Sequence, residues 1–286
     1  MARKSKVFFF SLLMIFTIIP GCVFALDPPL LKQPAKRMVT FAPSLTELVF
    51  AAGAQKKLVG VSAYSDYPSA AKKIPVVADY TGPDLEKLLA LKPDLVLAWS
   101  GGTSDQVMSK IKALHIPVCS VDIQKMEDVP QTIKAIGFLA GTQAIANKSA
   151  DQFLNQYNTL RSKYENKPEV TVFYQLSNQP LLTLNKQSLV NEIITDCGGK
   201  NVFADAIARV PEVDMAAILK VQPDVIIASK NKVSQTDPVA FWSAWSGLLA
   251  VQKKHIFTVD ADLIERPGPR AILAMTVLCQ EINQAR

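Results

Sequence analysis

The segment DLEKLLALKPDLVLA, from Asp84 to Ala98, returns as DMAAILKVQPDVIIA from Asp214 to Ala228, and this repeat is the strongest indication of the fold. The two copies align without a gap, and each predicts a short helix, a Pro-Asp turn and a buried strand. Such a repeat predicts tandem lobes of similar topology, with the cleft between them as the place for a small molecule. The alternative is two unrelated α/β domains that match by chance at a common turn.

Apolar runs alternate with helical patterns on either side of both copies. Met38 to Ala42, Leu58 to Val61 and Ile116 to Val121 predict buried strands, so we expect mostly parallel sheets covered on both faces. From Gln143 to Tyr164 the apolar residues recur at helical spacing without Gly or Pro, which predicts one long helix.

The predicted fold class is therefore α/β, with two Rossmann-like lobes joined by a single long α-helix. We place a signal peptide at residues 1–25, the N-terminal lobe at 26–141, the linker helix at 142–167 and the C-terminal lobe at 168–286.

The first 25 residues predict export. Arg3, Lys4 and Lys6 precede an apolar run too short for the roughly 30 Å hydrocarbon core of a membrane, which disfavours an uncleaved anchor. We favour cleavage after Ala25, giving a soluble periplasmic protein. The alternative is lipoprotein cleavage before Cys22.

The composition excludes several classes of function. Of 31 basic residues, 28 remain beside 25 acidic ones once the leader is removed, a net charge of about +3. We therefore expect no nucleic-acid partner recognised through net charge. Two histidines and four cysteines without C-x-x-C spacing cannot supply a usual zinc or iron site, so we expect no metal.

Sequence motifs of catalysis are also missing. The chain has no G-x-S-x-G elbow, no H-E-x-x-H and no phosphate loop with its lysine. His115 and His255 are better explained as a helix end and a strand start than as general bases. We therefore predict a protein without enzymatic activity or catalytic cofactor.

Residues that follow the apolar runs are the candidates for ligand binding, since ligands of open α/β sheets lie beyond the carboxyl ends of the strands. Tyr64, Tyr80 and Trp99 fall there in the first half. Flat aromatic faces of this size suit a large flat ligand, although each taken singly is also explained as core or rim. In the second half, the segment Asp262 to Arg266 is either a polar contact segment or a solvated turn.

Several stretches resemble one known family. RMVTFAPSLTELVFAAGA, LVGVSAYSDYP, LEKLLALKPDLVLAWSGG and ERPGPR are similar to the periplasmic cobalamin (vitamin B12)-binding proteins that serve bacterial ABC importers. The resemblance runs from about Arg37 to the C-terminus. It is specific for two-lobed binding proteins with a helical hinge, and less so for cobalamin over a siderophore or haem.

The resemblance implies roles for particular residues. Tyr64 corresponds to a corrinoid-contacting tyrosine and Trp99 to a cleft tryptophan, while Tyr80 stands where tryptophan is expected. The second lobe's contact segment corresponds to Asp262, Leu263, Ile264, Glu265 and Arg266. Cobalamin is then the transported ligand.

Further roles implied by the resemblance concern a disulfide and a partner protein. Cys197 and Cys279 match the family's disulfide, whereas Cys119 lies in an apolar run that predicts a buried strand residue. Glu86 matches the glutamate that docks on the transmembrane permease. Ala216 replaces its second-lobe counterpart, which leaves Glu212 or Asp214 for that contact. We expect a monomer.

The chain also departs from the family's pattern in its second half. A cleft tryptophan near Pro211 is missing, and Leu176 stands where an aromatic residue is expected. Two further functions stay open: siderophore or haem capture by the same fold, and a periplasmic enzyme acting on a corrinoid.

Overall fold

A computed structural model describes residues 31–231 and 237–286. The predicted signal peptide, with its cleavage sites at Ala25 and Cys22, lies outside the described residues. No helix in the described part of the chain is both long enough and apolar enough to span a membrane.

The first half of the chain forms a six-stranded sheet in the order β4-β3-β2-β1-β5-β6. All of its pairs are parallel except β3 with β4. The strands are β1 Met38–Thr40, β2 Leu58–Ser62, β3 Val76–Asp79, β4 Gly82–Pro83, β5 Leu95–Trp99 and β6 Val118–Val121.

The second half forms a four-stranded, fully parallel sheet in the order β10-β7-β11-β12 and a small β8-β9 hairpin. The strands are β7 Val170–Gln175, β8 Ser177–Asn178, β9 Leu181–Leu182, β10 Gly199–Asn201, β11 Val225–Lys230 and β12 Ile256–Asp260. Two mostly parallel sheets with helices between their strands confirm the predicted α/β fold class.

The helices lie between the strands in the chain and cover the sheets. In the first half they are α1 Pro43–Ala51, α2 Leu85–Ala90, α3 Asp105–Ala113 and α4 Asp128–Ala140. The long α5 covers Gln143–Tyr164, and the second half holds α6 Leu189–Asp196, α7 Met215–Val221, α8 Pro238–Ser243, α9 Leu249–Gln252, α10 Ala261–Ile264 and α11 Ala271–Gln284.

The sequence repeat is also a structural repeat. Asp84 caps α2 by accepting a hydrogen bond from the Lys87 amide, and Asp214 caps α7 by accepting one from the Ala217 amide. The strand that follows the capped helix is β5 in the first half and β11 in the second, and each lies second from the edge of its sheet. The order β2-β1-β5-β6 in the first sheet corresponds to β10-β7-β11-β12 in the second. The two halves therefore share one topology, as the repeat predicts.

Helix α5 connects the halves and packs closely on α4. A Cβ atom added to Gly137 would lie 2.2 Å from the Cβ of Ala146, so the helices approach closely enough to require glycine there. Lys134 and Asp151 form an ion pair across the same two helices at 2.9 Å. The lobe boundaries given above stay predictions.

The hydrophobic core extends through both halves and α5. Tyr157 of α5 is fully buried, and its hydroxyl donates a 2.8 Å hydrogen bond to Asp196 of α6. The disulfide between Cys197 and Cys279 joins the end of α6 to α11 within this core, which confirms the predicted pair. Cys119 is buried in β6, also as predicted.

Candidate ligand-binding site

Three aromatic residues meet at the carboxyl end of the first sheet. Tyr64, Tyr80 and Trp99 line one cavity of about 460 Å³, together with Pro43 at the start of α1 and Ser104 before α3. The sequence singles out these three aromatics, and the structure brings them together.

Tyr64 is presented to solvent by a tight turn after β2. Its φ angle of 63° lies in the left-handed region, which costs a non-glycine residue about 1–2 kcal/mol, and its side chain is 73% exposed. Hydrogen bonds between buried hydroxyl groups stabilise the turn. The Ser65 Oγ lies 3.0 Å from the Thr46 Oγ1 and 3.2 Å from the Ser62 Oγ. The turn therefore holds a phenol ring outside the core instead of inside it.

Tyr80 lies in the turn between β3 and β4 and is 93% exposed. The carboxylate of Asp79 accepts hydrogen bonds from the Thr81 amide at 2.8 Å and the Thr81 hydroxyl at 2.6 Å. These hydrogen bonds lower the pKa of Asp79, so the turn keeps its charge and its shape at neutral pH. A ring this exposed is available to a ligand.

The indole ring of Trp99, the last residue of β5, packs directly against Gly101 and Gly102. A Cβ atom would lie 2.7 Å from the indole ring if added to Gly101 and 2.4 Å if added to Gly102. The Trp99 carbonyl accepts a hydrogen bond from the Thr103 amide at 2.9 Å, which closes the loop around the ring. Side chains larger than hydrogen at these positions would displace the ring.

A second cavity continues from Trp99 toward the other half. It has a volume of about 330 Å³ and is lined on the second-half side by Leu176, Leu184, Arg209, Ile264 and Glu265, among others. Trp99 borders both cavities, and we refer to the two together as the groove. The apolar lining of the second-half side is aliphatic, whereas aromatic rings line the first cavity.

The segment Asp262–Arg266 divides between the groove and the lobe interface. Ile264 and Glu265 line the second cavity, whereas Leu263 packs against the hydrophobic core. Asp262 forms a 2.7 Å ion pair with Arg266, whose guanidinium also pairs with Asp66 of the first half at 2.7 Å. The structure thus brings two of the five predicted residues to the groove and ties two others into an interlobe ion network.

The ion network centres on a glutamate that the sequence analysis missed. Glu47 of α1, with its side chain 2% exposed, accepts two hydrogen bonds from Arg270, and Arg266 lies 3.7 Å away. The Arg270 guanidinium also lies 4.3 Å from the centre of the Tyr67 ring. The one signal in the sequence is the single charged residue of a mostly apolar helix, which calls for a buried cationic partner.

Burial raises the pKa of Glu47, and the hydrogen bonds and charge of Arg270, with the charge of Arg266, offset part of that rise. The bidentate contact favours the ionised pair, because one guanidinium satisfies both carboxylate oxygens. A buried ion pair therefore joins the two halves.

A family model matches most of the chain. Residues 38–263 match the model of a family described as periplasmic binding protein. This chain belongs to the periplasmic binding protein family.

Relatives of this periplasmic binding protein match along nearly the full chain. A vitamin B12-binding protein of Vibrio cholerae is 33% identical over 270 residues, covering 93% of this chain and 97% of that protein. One of Yersinia pestis is 37% identical over 251 residues, covering 87% of each.

Solved structures agree with this architecture. The crystal structure of the periplasmic vitamin B12 binding protein of Vibrio cholerae superposes with a TM-score of 0.82 at 33% identity, covering 88% of this chain and 98% of that one. A periplasmic heme-binding protein of Roseiflexus superposes with a TM-score of 0.77 at 21% identity, covering 88% and 99%; that likeness concerns the fold alone.

Residues expected to dock on a permease lie on the surface of the binding protein. Glu86 is exposed on the first turn of α2, and Glu212 is exposed and pairs with Leu182 of β9 in an antiparallel bridge. Asp214 is exposed but already serves α7 as its capping residue. Within residues 31–231 and 237–286, His, Cys, Asp and Glu form no group of three or more suited to a metal ion.

Proposed function

We propose that this protein captures cobalamin in the interlobe groove and delivers it to the transmembrane permease of an ABC importer. The main support for this proposal is that Tyr64, Tyr80 and Trp99 line one cavity. Flat, partly hydrated rings suit the broad face of a corrinoid, because each ring sheds water over a large area when it stacks. The likeness to vitamin B12-binding proteins over nearly the whole chain supports the same ligand.

Binding in this proposal is asymmetric. The first half offers the aromatic rings, whereas Leu176, Leu184 and Ile264 give the second half an aliphatic wall. Aliphatic side chains bury apolar ligand surface at about 25 cal/mol per Å², without the geometric preference of aromatic stacking. We therefore assign orientation of the ring mainly to the first half.

Titration calorimetry with cyanocobalamin tests the proposal. The mature protein should bind one equivalent with submicromolar affinity, and Trp99→Ala should weaken binding by about 10- to 100-fold, as for a central aromatic anchor. Trp245→Ala is the matched control, because Trp245 is partly exposed and lines neither cavity. The proposal fails if the unsubstituted protein binds no corrinoid.

Delivery would use the outer surface of both lobes. We place Glu86 of the first lobe and Glu212 of the second against basic residues of the permease, with Asp214 less suited because it caps α7. The proposed carrier acts as a monomer and carries out no reaction on its ligand.

Export is part of the same proposal. A leader ending at Ala25 would place the protein in the periplasm, where the Cys197–Cys279 disulfide persists. The intact mass of the exported protein distinguishes cleavage after Ala25 from lipidation at Cys22.

Haem is the second candidate ligand, and one observation favours it. The phenol groups of Tyr64 and Tyr80 are both exposed at the cavity, and a tyrosine phenolate can serve as the axial ligand of haem iron. Titration with haemin should then shift the Soret band of haemin, and Tyr64→Phe or Tyr80→Phe should alter that shift. Cobalamin binding, with no shift of the band when haemin is added, excludes this candidate.

A further inference from the structure

We propose that Arg209 recognises an anionic group at the edge of the bound ligand, which for cobalamin is the phosphodiester of its nucleotide loop. This inference rests on the proposed function and adds a specificity-determining residue to it. Arg209 lines the second cavity of the groove, which it shares with Trp99.

Arg209 differs from every other arginine of residues 31–231 and 237–286. Arg161, Arg266 and Arg270 form ion pairs, while Arg37 and Arg286 donate hydrogen bonds to backbone carbonyls. The half-buried side chain of Arg209 has neither kind of partner among the described residues. A guanidinium in that position retains its full capacity to form hydrogen bonds to a ligand.

The backbone around Arg209 is fixed by hydrogen bonds, whereas its side chain forms none within the part of the chain that the structure describes. The Arg209 carbonyl accepts a hydrogen bond from the Asn185 amide at 3.1 Å, and the Pro211 carbonyl accepts one from the Thr183 amide at 3.1 Å. The bridge between Leu182 and Glu212 extends this pairing. The loop therefore holds the Cα of Arg209 at the groove, and only the side chain must be ordered when the ligand binds.

The surroundings strengthen an ionic contact at this point. Leu176, Leu184 and Ile264 share the cavity with Arg209, so an anion that enters displaces water from apolar walls. A planar guanidinium fits a phosphodiester through two parallel hydrogen bonds. Haem would offer a propionate to the same group, and the ligands used in the test distinguish these sources.

Glu265 is the competing anion in the same cavity. Its carboxylate accepts a hydrogen bond from the Ser229 hydroxyl and forms no ion pair with Arg209. If Arg209 acted only by pairing with Glu265 when the lobes close, its removal would weaken every ligand alike. The proposal instead predicts that only ligands with the anionic group are affected.

The test is calorimetry with two ligands and matched variants. Cyanocobalamin carries the phosphodiester, whereas dicyanocobinamide keeps the corrin ring and lacks the nucleotide loop. Arg209→Gln should raise the Kd for cyanocobalamin about five- to tenfold and leave the Kd for dicyanocobinamide within twofold of its original value. Arg209→Lys should fall between these, because an ammonium keeps the charge without the two-point geometry.

Controls separate a local effect from a general one. Lys253→Gln removes one positive charge from an exposed position of the same half, outside both cavities, and should change neither Kd. An equal loss for both ligands in Arg209→Gln, or no loss for either, overturns the role of Arg209 while the proposed function stands. Failure of the unsubstituted protein to bind either corrinoid overturns both the proposed function and the phosphodiester assignment. A loss of haemin affinity in Arg209→Gln would then assign a haem propionate to Arg209 in its place.

Discussion

Arg270 and Glu47 join the two halves of the molecule through a two-point ion pair, with the Arg270 nitrogens 2.8 and 2.6 Å from the carboxylate oxygens. Both side chains are almost inaccessible, at 13% and 2% exposure. Removal of one partner from such a pair leaves a buried charge without compensation, which is costly.

Arg270→Met should therefore lower the free energy of unfolding by about 2–3 kcal/mol. This loss is smaller than expected for a buried carboxylate with no cationic partner, because Arg266 remains 3.7 Å from Glu47. Urea denaturation measures the change. In the double variant Arg270→Met/Glu47→Leu most of the loss should be recovered, since apolar side chains can replace a buried ion pair.

Lys87→Met is the control for this prediction. It breaks the exposed Lys87–Asp84 pair and should cost less than about 1 kcal/mol. If Arg270→Met lowered the free energy of unfolding as little as Lys87→Met, the interlobe ion pair would have to be exposed to solvent.

Gly102→Ala should weaken ligand binding without a change in any ligand-contacting side chain. The added Cβ would lie 2.4 Å from the Trp99 ring, so the ring must move from its place in the cavity. We expect an altered near-UV circular dichroism spectrum and a roughly tenfold higher Kd for cyanocobalamin.

Gly247→Ala is the matched control, because its nearest neighbour, Leu219, lies at 3.9 Å. It should leave both the spectrum and the Kd unchanged. Unchanged values in Gly102→Ala would show that the loop absorbs the extra methyl group.

Glu281 of α11 should make stability depend on pH. Burial raises its pKa to about 7, and its Oε2 atom is buried without a hydrogen-bond partner among the described residues. Between pH 4.5 and 7 the folded protein binds a proton at this site that the unfolded chain releases, so stability falls as pH rises through this range.

Glu281→Gln should remove this penalty. Since solvent screens part of the carboxyl group, we expect a gain of about 1 kcal/mol at pH 8, or about 2–4 °C in Tm, and little change at pH 4. Differential scanning calorimetry at both pH values measures it. Exposed Glu169→Gln serves as control, and equal shifts in the two variants would contradict the prediction.

A residual pH dependence should survive in Glu281→Gln because Glu192 behaves in the same way. Burial raises the pKa of Glu192 to about 7, although its carboxylate accepts a hydrogen bond from the Met126 amide. The remaining slope should therefore lie in the same pH range.

Glu86→Ala should reduce uptake and leave ligand affinity intact, since Glu86 is exposed on α2 and lines neither cavity. Glu169→Ala, which removes an exposed carboxylate elsewhere, should leave both unchanged. Cellular cobalamin uptake with each variant measures the difference. Normal uptake with Glu86→Ala would remove this residue from the docking surface.

Local signals in the sequence predict the repeated unit well. Asp84 and Asp214 cap equivalent helices because their side chains accept backbone hydrogen bonds within four residues, an interaction that short-range sequence encodes. The strand-end rule likewise brings Tyr64, Tyr80 and Trp99 to one cavity.

Contacts between residues far apart in the chain cannot be predicted from local sequence signals. Glu47 and Arg270 are far apart in the chain, and nothing local marks them as partners. Arg209 lies in an irregular loop without periodicity, so only the folded structure reveals that its side chain faces the groove unpaired among the described residues. The arrangement of Asp262 and Arg266 also depends on the position of Asp66 in the other half.

The close crossing of α4 and α5 at Gly137 and Ala146 limits how the molecule can move. Helices in backbone contact cannot slide or roll past one another without steric clash. Helices α4 and α5 should therefore move as one rigid unit, and any swing of the second half against them must first break the hydrogen bond between Tyr157 and Asp196.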